Sequence, residues 1–184
     1  MANKEGSFKL MGIVMGISLL IAFLWHQISW IKNPIHAILD PTAGFLLNWE
    51  LTLGMLIIVF VISLAATLVQ KYATDQEALK ELKKEQKIVQ AEMKKYKDHP
   101  EKVMALQKKQ LEFIPKTMKL SMRAMVYTGV PFILFFRWFD DYFTDLAAST
   151  GEPVRFLGFL GWFIFYLIAT LVFSGLMKKY MNIV

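Results

Sequence analysis

Seven polar side chains stand inside otherwise apolar runs, and their spacing is helical. Ser63, Thr67 and Gln70 follow i, i+4, i+7; Arg123 and Tyr127 follow i, i+4; Thr170 and Ser174 repeat i, i+4. Each set therefore shares one helix face. In hydrocarbon such groups can hydrogen-bond a polar visitor, and Arg123 can pair with a charge. Bond-making chemistry finds no support. The chain has no cysteine, which removes thiol nucleophiles, disulfides and Cys-based zinc sites, and His26, His36 and His99 are scattered. The GxxxxGK[ST], HExxH and GxSxG patterns are absent. We assign no catalytic residue, metal or cofactor. Structural uses compete: Ser and Thr in spans bond their own backbone, and a shallow Arg snorkels to headgroups. Three stripes at one depth favour a shared polar groove. Methionine adds to it: Met118, Met122 and Met125 flank Arg123, and Met177 and Met181 lie near the last apolar run. Flexible thioethers suit varied apolar visitors as well as ordinary packing.

The elements that hold these residues are membrane spans. Of 184 residues, 55% are hydrophobic and 20% charged, and mean hydropathy is +0.41. Soluble domains run near 45–50% apolar and about 25% charged. The excess is clumped. Residues 51–69 and 156–177 are long uncharged runs; 117–139 is a third span if Arg123 lies within it. An N-terminal apolar helix falls in 1–31. We read it as a retained span rather than a cleaved leader, because no A-x-A-like site follows and Trp25 and Trp30 resemble interfacial belt residues. The fold class expected is an all-α membrane protein: three core spans, an extra N-terminal span and a helical hairpin.

Charge sets the expected topology. With the polar segment 70–123 in the cytoplasm, that side carries 18 Lys/Arg and the other side 3 (Lys32, Arg137, Arg155). The positive-inside bias then places both termini and the hairpin in the cytoplasm of a multi-pass plasma-membrane protein. Residues 70–116 read as two helices. Leu79, Leu82, Gln86, Val89, Met93 and Tyr96 form a 3-4-3-4-3 seam, and Val103, Leu106, Gln110 and Phe113 form its partner. Lys97–Glu101 is the turn, with Pro100 at a helix start and Asp98 with Glu101 resembling a capping box. Pro115 is expected to bend the chain at membrane entry. The hairpin lysines Lys83, Lys84, Lys87, Lys94, Lys95, Lys97, Lys102, Lys108 and Lys109 suit RNA or anionic lipid, although no RNA-binding motif is present. A purely structural arm is the competing use.

On the other side, 32–50 reads as an interfacial stretch and 140–155 as a solvated acidic loop; 178–184 is a short cytoplasmic tail. Gly158 and Gly161 are expected to permit close helix packing. The apolar halves Leu53–Ile58, Pro131–Phe136 and Phe156–Phe163 would close the groove's outer end.

The order span, basic hairpin, span, span resembles the archaeal YidC-like proteins of the YidC/Oxa/Alb insertase superfamily. It is also similar to the insertase core subunit of the endoplasmic reticulum membrane protein complex. The text that carries the likeness is Val69–Glu77 (VQKYATDQE), Lys119–Tyr127 (KLSMRAMVY) and Val130–Trp138 (VPFILFFRW). The resemblance covers about 50–180. It implies an insertase for short hydrophobic segments, with Arg123 as the groove arginine and 73–115 contacting substrate, ribosome, signal-recognition particle or translocon. Nascent membrane proteins and the bilayer are the expected partners, and DNA is not. Ala124 stands where many archaeal members carry proline, and the N-terminal span is additional. A scaffold acting through the basic coiled coil is the alternative function. A channel is a third, and the bare outer halves argue against it.

Overall fold

The structure is a computed structural model, and it describes residues 7–183. It is an all-α membrane protein apart from one two-residue strand pair. In chain order the helices are α1 (Phe8–Leu24), α2 (Ser29–Leu39), a π-helical turn (Asp40–Gly44), α3 (Phe45–Trp49), α4 (Leu51–Ala73), α5 (Gln76–Lys95), α6 (Pro100–Thr150) and α7 (Trp162–Tyr180). Between α6 and α7, β1 (Arg155–Phe156) pairs antiparallel with β2 (Leu160–Gly161).

Among the described residues two single helices are long and apolar enough to cross a membrane: α4 and α7, with mean hydropathy 2.6 and 1.4. The segment Phe8–Leu24 with Ser29–Trp49 meets the same measure as a pair, bent by 86°. The N-terminal apolar region is thus a helix followed by a sharp turn and a second helical arm. Residues 32–50, expected as an interfacial stretch, are helical, and Gly54 explains how tightly that arm packs. A Cβ at Gly54 would sit 2.2 Å from the carbonyl oxygen of Leu46, so only glycine lets α3 approach α4 this closely.

The hairpin forms as its seams require. Asp75 caps α5, accepting a hydrogen bond from the Ala78 amide at 3.1 Å. Leu79 and Val89 of α5 and Phe113 of α6 are buried. The capping box is not realised: the N-cap of α6 is His99, without a side-chain bond, although Pro100 does take the first helical position.

The largest departure from the expected boundaries is α6. It runs through Pro115 and Pro131 for 51 residues, about 75 Å at 1.5 Å per residue. One continuous helix therefore takes in a hairpin arm, the stretch expected as a third span, which is not among the helices apolar enough to cross a membrane, and the region expected as the acidic loop. It ends at Gly151, whose φ of +74° supplies the left-handed cap. Helix α7 begins at Trp162 and includes Lys178 and Lys179, both assigned to the tail by sequence. Gly158 (φ +82°) serves the strand turn, and a Cβ there or at Gly161 would meet nothing within 4 Å. Neither glycine mediates helix packing.

The core sits at the end of the bundle away from the hairpin. Met55, Ile58 and Val59 of α4 pack with Trp138, Phe139 and Phe143 of α6, Phe156, and Phe165, Tyr166 and Ala169 of α7. The rings interlock: Phe156 stacks on Phe165 at 4.5 Å and Phe143 on Trp162 at 5.5 Å. The α1 helix lies along α6, with Val14 and Ser18 against Gly129.

Candidate functional site

Toward the hairpin side the same helices separate. Helices α4, α6 and α7 enclose a groove of about 320 Å³. From α4 come Ala66, Thr67 and Gln70. From α6 come Ser121, Ala124, Met125 and Thr128, one face by their 3-1-3 steps. Ser174 and Lys178 of α7 complete it. Most of these side chains are small. Where Phe and Trp fill the space at the far end, Ala, Ser and Thr leave it open.

The groove's hydroxyls are partly committed. Thr67 Oγ1 donates to the Ser63 carbonyl at 2.6 Å, and Thr128 Oγ1 to that of Ala124 at 3.0 Å. Their hydrogens are used within their own helices, and Thr67 is itself buried. Below them Ser63 is buried, and its Oγ has no partner among the described residues.

The sequence-predicted residues divide. Thr67, Gln70, Ser174 and Met125 line the groove. Ser63 lies buried one turn beneath Thr67, and Thr170 one turn before Ser174. Met122 and Met177 are buried, so they pack rather than line. Met118 is exposed, about one turn before the groove. Arg123 and Tyr127 do not join the set. Arg123 is two residues from both Ser121 and Met125, about 200° around the helix, and so lies on the opposite face of α6. Tyr127 shares that face and is 55% exposed. All nine predicted hairpin lysines are solvent-exposed. A separate cleft of about 350 Å³ at the hairpin base is lined by Glu81 and Glu85 of α5 and Lys116 and Lys119 of α6.

Two features escaped the sequence reading. Lys178 is one; it continues the Thr170–Ser174 spacing by four residues, and that periodicity was the available signal. The other is a buried polar network at the far end. Asp141, expected in a solvated loop, is only 8% exposed. Its Oδ2 accepts from Trp25 Nε1 at 2.7 Å and Lys32 Nζ at 2.9 Å, and His36 Nε2 lies 3.1 Å away. Trp25 is accordingly buried rather than interfacial. Beside it Trp138 Nε1 donates to Asp40 at 2.7 Å, and Tyr142 to Asn48 at 2.8 Å. Burial alone would raise the Asp141 carboxyl. The hydrogen bonds from Trp25, Lys32 and His36, with the Lys32 charge, outweigh it and hold the group below its ordinary value of 3.8. No local pattern announces this, because the partners lie more than 100 residues away.

The family described as integral membrane protein EMC3/TMCO1-like matches residues 22–184. The chain belongs to this family. EMC3/TMCO1-like proteins form part of the YidC/Oxa1/Alb3-related insertase group, are associated with membrane protein insertion, and are of insertase or scaffold type rather than classical enzymes. Comparison with curated proteins and with solved structures gives no match. In this EMC3/TMCO1-like chain the matched region takes in the bent N-terminal arm, the hairpin, the groove and the aromatic end.

Proposed function

We propose that this protein is a membrane insertase that passes short hydrophobic segments from the cytoplasm into the bilayer through the groove. The observation that carries the reading is the division of the α4–α6–α7 bundle into an open polar half and a sealed aromatic half. A polar flank gains hydrogen-bond partners partway into the membrane, while the apolar stretch leaves sideways into lipid. Burial of roughly 20 apolar residues supplies the drive without nucleotide, at about 25 cal/mol per Å². Met125, exposed at the groove edge, offers a soft contact to varied apolar side chains.

The charge count supports the hairpin side as cytoplasmic, with both termini there. The resemblance in order of parts and local text supports a plasma-membrane protein of the archaeal YidC-like kind. The exposed hairpin lysines suit contact with a ribosome, signal-recognition particle or translocon delivering the nascent membrane protein. A scaffold that acts through the basic hairpin is the second reading, favoured by the same lysines. The aromatic seal argues against a channel.

The test is site-specific photo-crosslinking. One probe replaces Met125 and a control replaces Ala148, beyond the aromatic end. Ribosomes stalled on a short transmembrane segment are presented to membranes holding the protein. Crosslinks from position 125 and none from 148 are expected. Silence at 125, with the protein folded in the membrane, would leave the scaffold reading.

A further inference from the structure

The two faces of the hairpin differ in charge and in apolar content. On α5, Lys80, Lys83, Lys87 and Lys94 each stand one place after a seam position. On α6, Met104, Leu111 and Ile114 do the same, and Met118 continues them by four. In an antiparallel pair, residues one place after the seam project to one side, and those one place before it to the other. The cleft at the hairpin base displays the second set. Ala78, Glu81 and Glu85 of α5 line it together with Lys116 and Lys119 of α6. That face holds both signs of charge. The opposite face sets the α5 lysine row beside the α6 apolar stripe, and neither row contains an acid. Met104, Leu111, Ile114 and Met118 are 71%, 63%, 52% and 42% exposed. Lipid does not account for them. Met104 lies about 21 Å from Met118 along a helix that runs unbroken from the hairpin into the bundle, so the stripe climbs away from the bilayer.

We propose that this face docks an amphipathic helix of a partner protein, apolar along one edge and acidic along the next, as a third helix of the coiled coil. Apolar spacing and charge complementarity together select that occupant. With Gln107, the α6 stripe steps 3-4-3-4, the surface into which the side chains of another helix interlock. The lysines lie on one flank of it, so the incoming helix needs carboxylates on one edge. From Met104 to Met118 there is room for about four of its turns. RNA would use the lysines and leave the stripe in water. A second copy of this chain brings no acid on the same face, and so leaves the lysines unmatched. The groove takes no part in this docking, so the insertase reading stands or falls separately.

The experiment uses the full chain in nanodiscs of zwitterionic lipid and dye-labelled helical peptides about 18 residues long. One peptide has leucines at 3-4-3-4 spacing and glutamates along one edge. A second has lysines for the glutamates, and a third scrambles the order of the first. Fluorescence anisotropy reads binding. The glutamate peptide is expected to bind about tenfold more tightly than either of the others. Leu111→Gln should weaken it about tenfold. Lys83→Gln combined with Lys87→Gln should weaken it about fivefold, a loss that shrinks in high salt. Ile88→Gln and Lys116→Gln, on the other face, should change it less than about twofold. All these positions are exposed, so the buried seam residues Leu79, Val89 and Phe113 still hold the hairpin together. A photo-crosslinker at Gln107 should capture the peptide, and one at Ala105 should not. Equal binding of the three peptides, no binding of any, or equal losses from the two faces would overturn the proposal. An RNA duplex that binds the wild type and Leu111→Gln alike, where the glutamate peptide binds neither, would assign the face to RNA instead. None of these outcomes bears on insertion.

Discussion

The two ends of the α4–α6–α7 bundle use the same helices to opposite effect. At the far end large rings interdigitate, Trp138 and Phe156 are fully buried, and polar groups such as Asp141 are bonded from several elements. At the hairpin end small side chains line an open groove, and the hydroxyls of Thr67 and Thr128 bond only their own helices. Side-chain volume makes the difference. In lipid, helix association depends on packing and interhelical hydrogen bonds rather than on hydrophobic burial. An end that packs is rigid, and an end built of small residues must be held open by the rigid one.

The comparison predicts where substitutions hurt. The largest effect is expected at Gly54. In Gly54→Ala the new methyl overlaps the α3 backbone, so α3 must leave α4; a loss above about 4 kcal/mol, or no folded protein, is expected in detergent unfolding. Wild-type stability there would break the account of the tight N-terminal arm.

Next is Asp141. Asp141→Ala strands Lys32 and the Trp25 indole, and about 3 kcal/mol should be lost. Because the folded carboxyl titrates below 3.8, the unfolded chain takes up the proton first. The network's contribution is complete above 3.8 and fades as pH falls below that value toward the folded one. Asp141→Asn should remove this part of the acid sensitivity, which melting curves between neutral pH and the acid range will read.

Val89→Ala, in the hairpin seam, should cost about 2 kcal/mol, confined to α5 and the first part of α6. Hydrogen exchange should show faster opening there, with the aromatic end unchanged. The smallest effect is expected at Ser63→Ala. Its buried hydroxyl has no partner among the described residues, so removal should change stability by less than about 0.5 kcal/mol. A large loss would mean that the hairpin end is as tightly coupled as the far end.

Much of the fold was legible in the sequence. Apolar runs announced α4 and α7, and heptad spacing announced the hairpin together with its buried Leu79 and Val89. Four of the nine groove residues were legible as well: Thr67, Gln70 and Ser174 from their stripes and Met125 from the methionine cluster. The rest of the α6 face was not. Arg123–Tyr127 and Ser121–Thr128 both satisfy helical periodicity, and periodicity says which residues share a face, never which face a neighbour covers. Asp141, expected in a solvated loop, was misjudged for a related reason: its charge looks solvated until Trp25, Lys32 and His36, distant in sequence, enclose it.

The sequence by itself determined the all-α membrane class, the family and the placement of charge, because these follow from composition, local spacing and text. Only the tertiary structure decided the rotation of α6, the burial of Asp141 and the presence of Lys178 in the groove. Each depends on which helices abut, and that is settled by side-chain volumes and pairings between segments far apart in the chain.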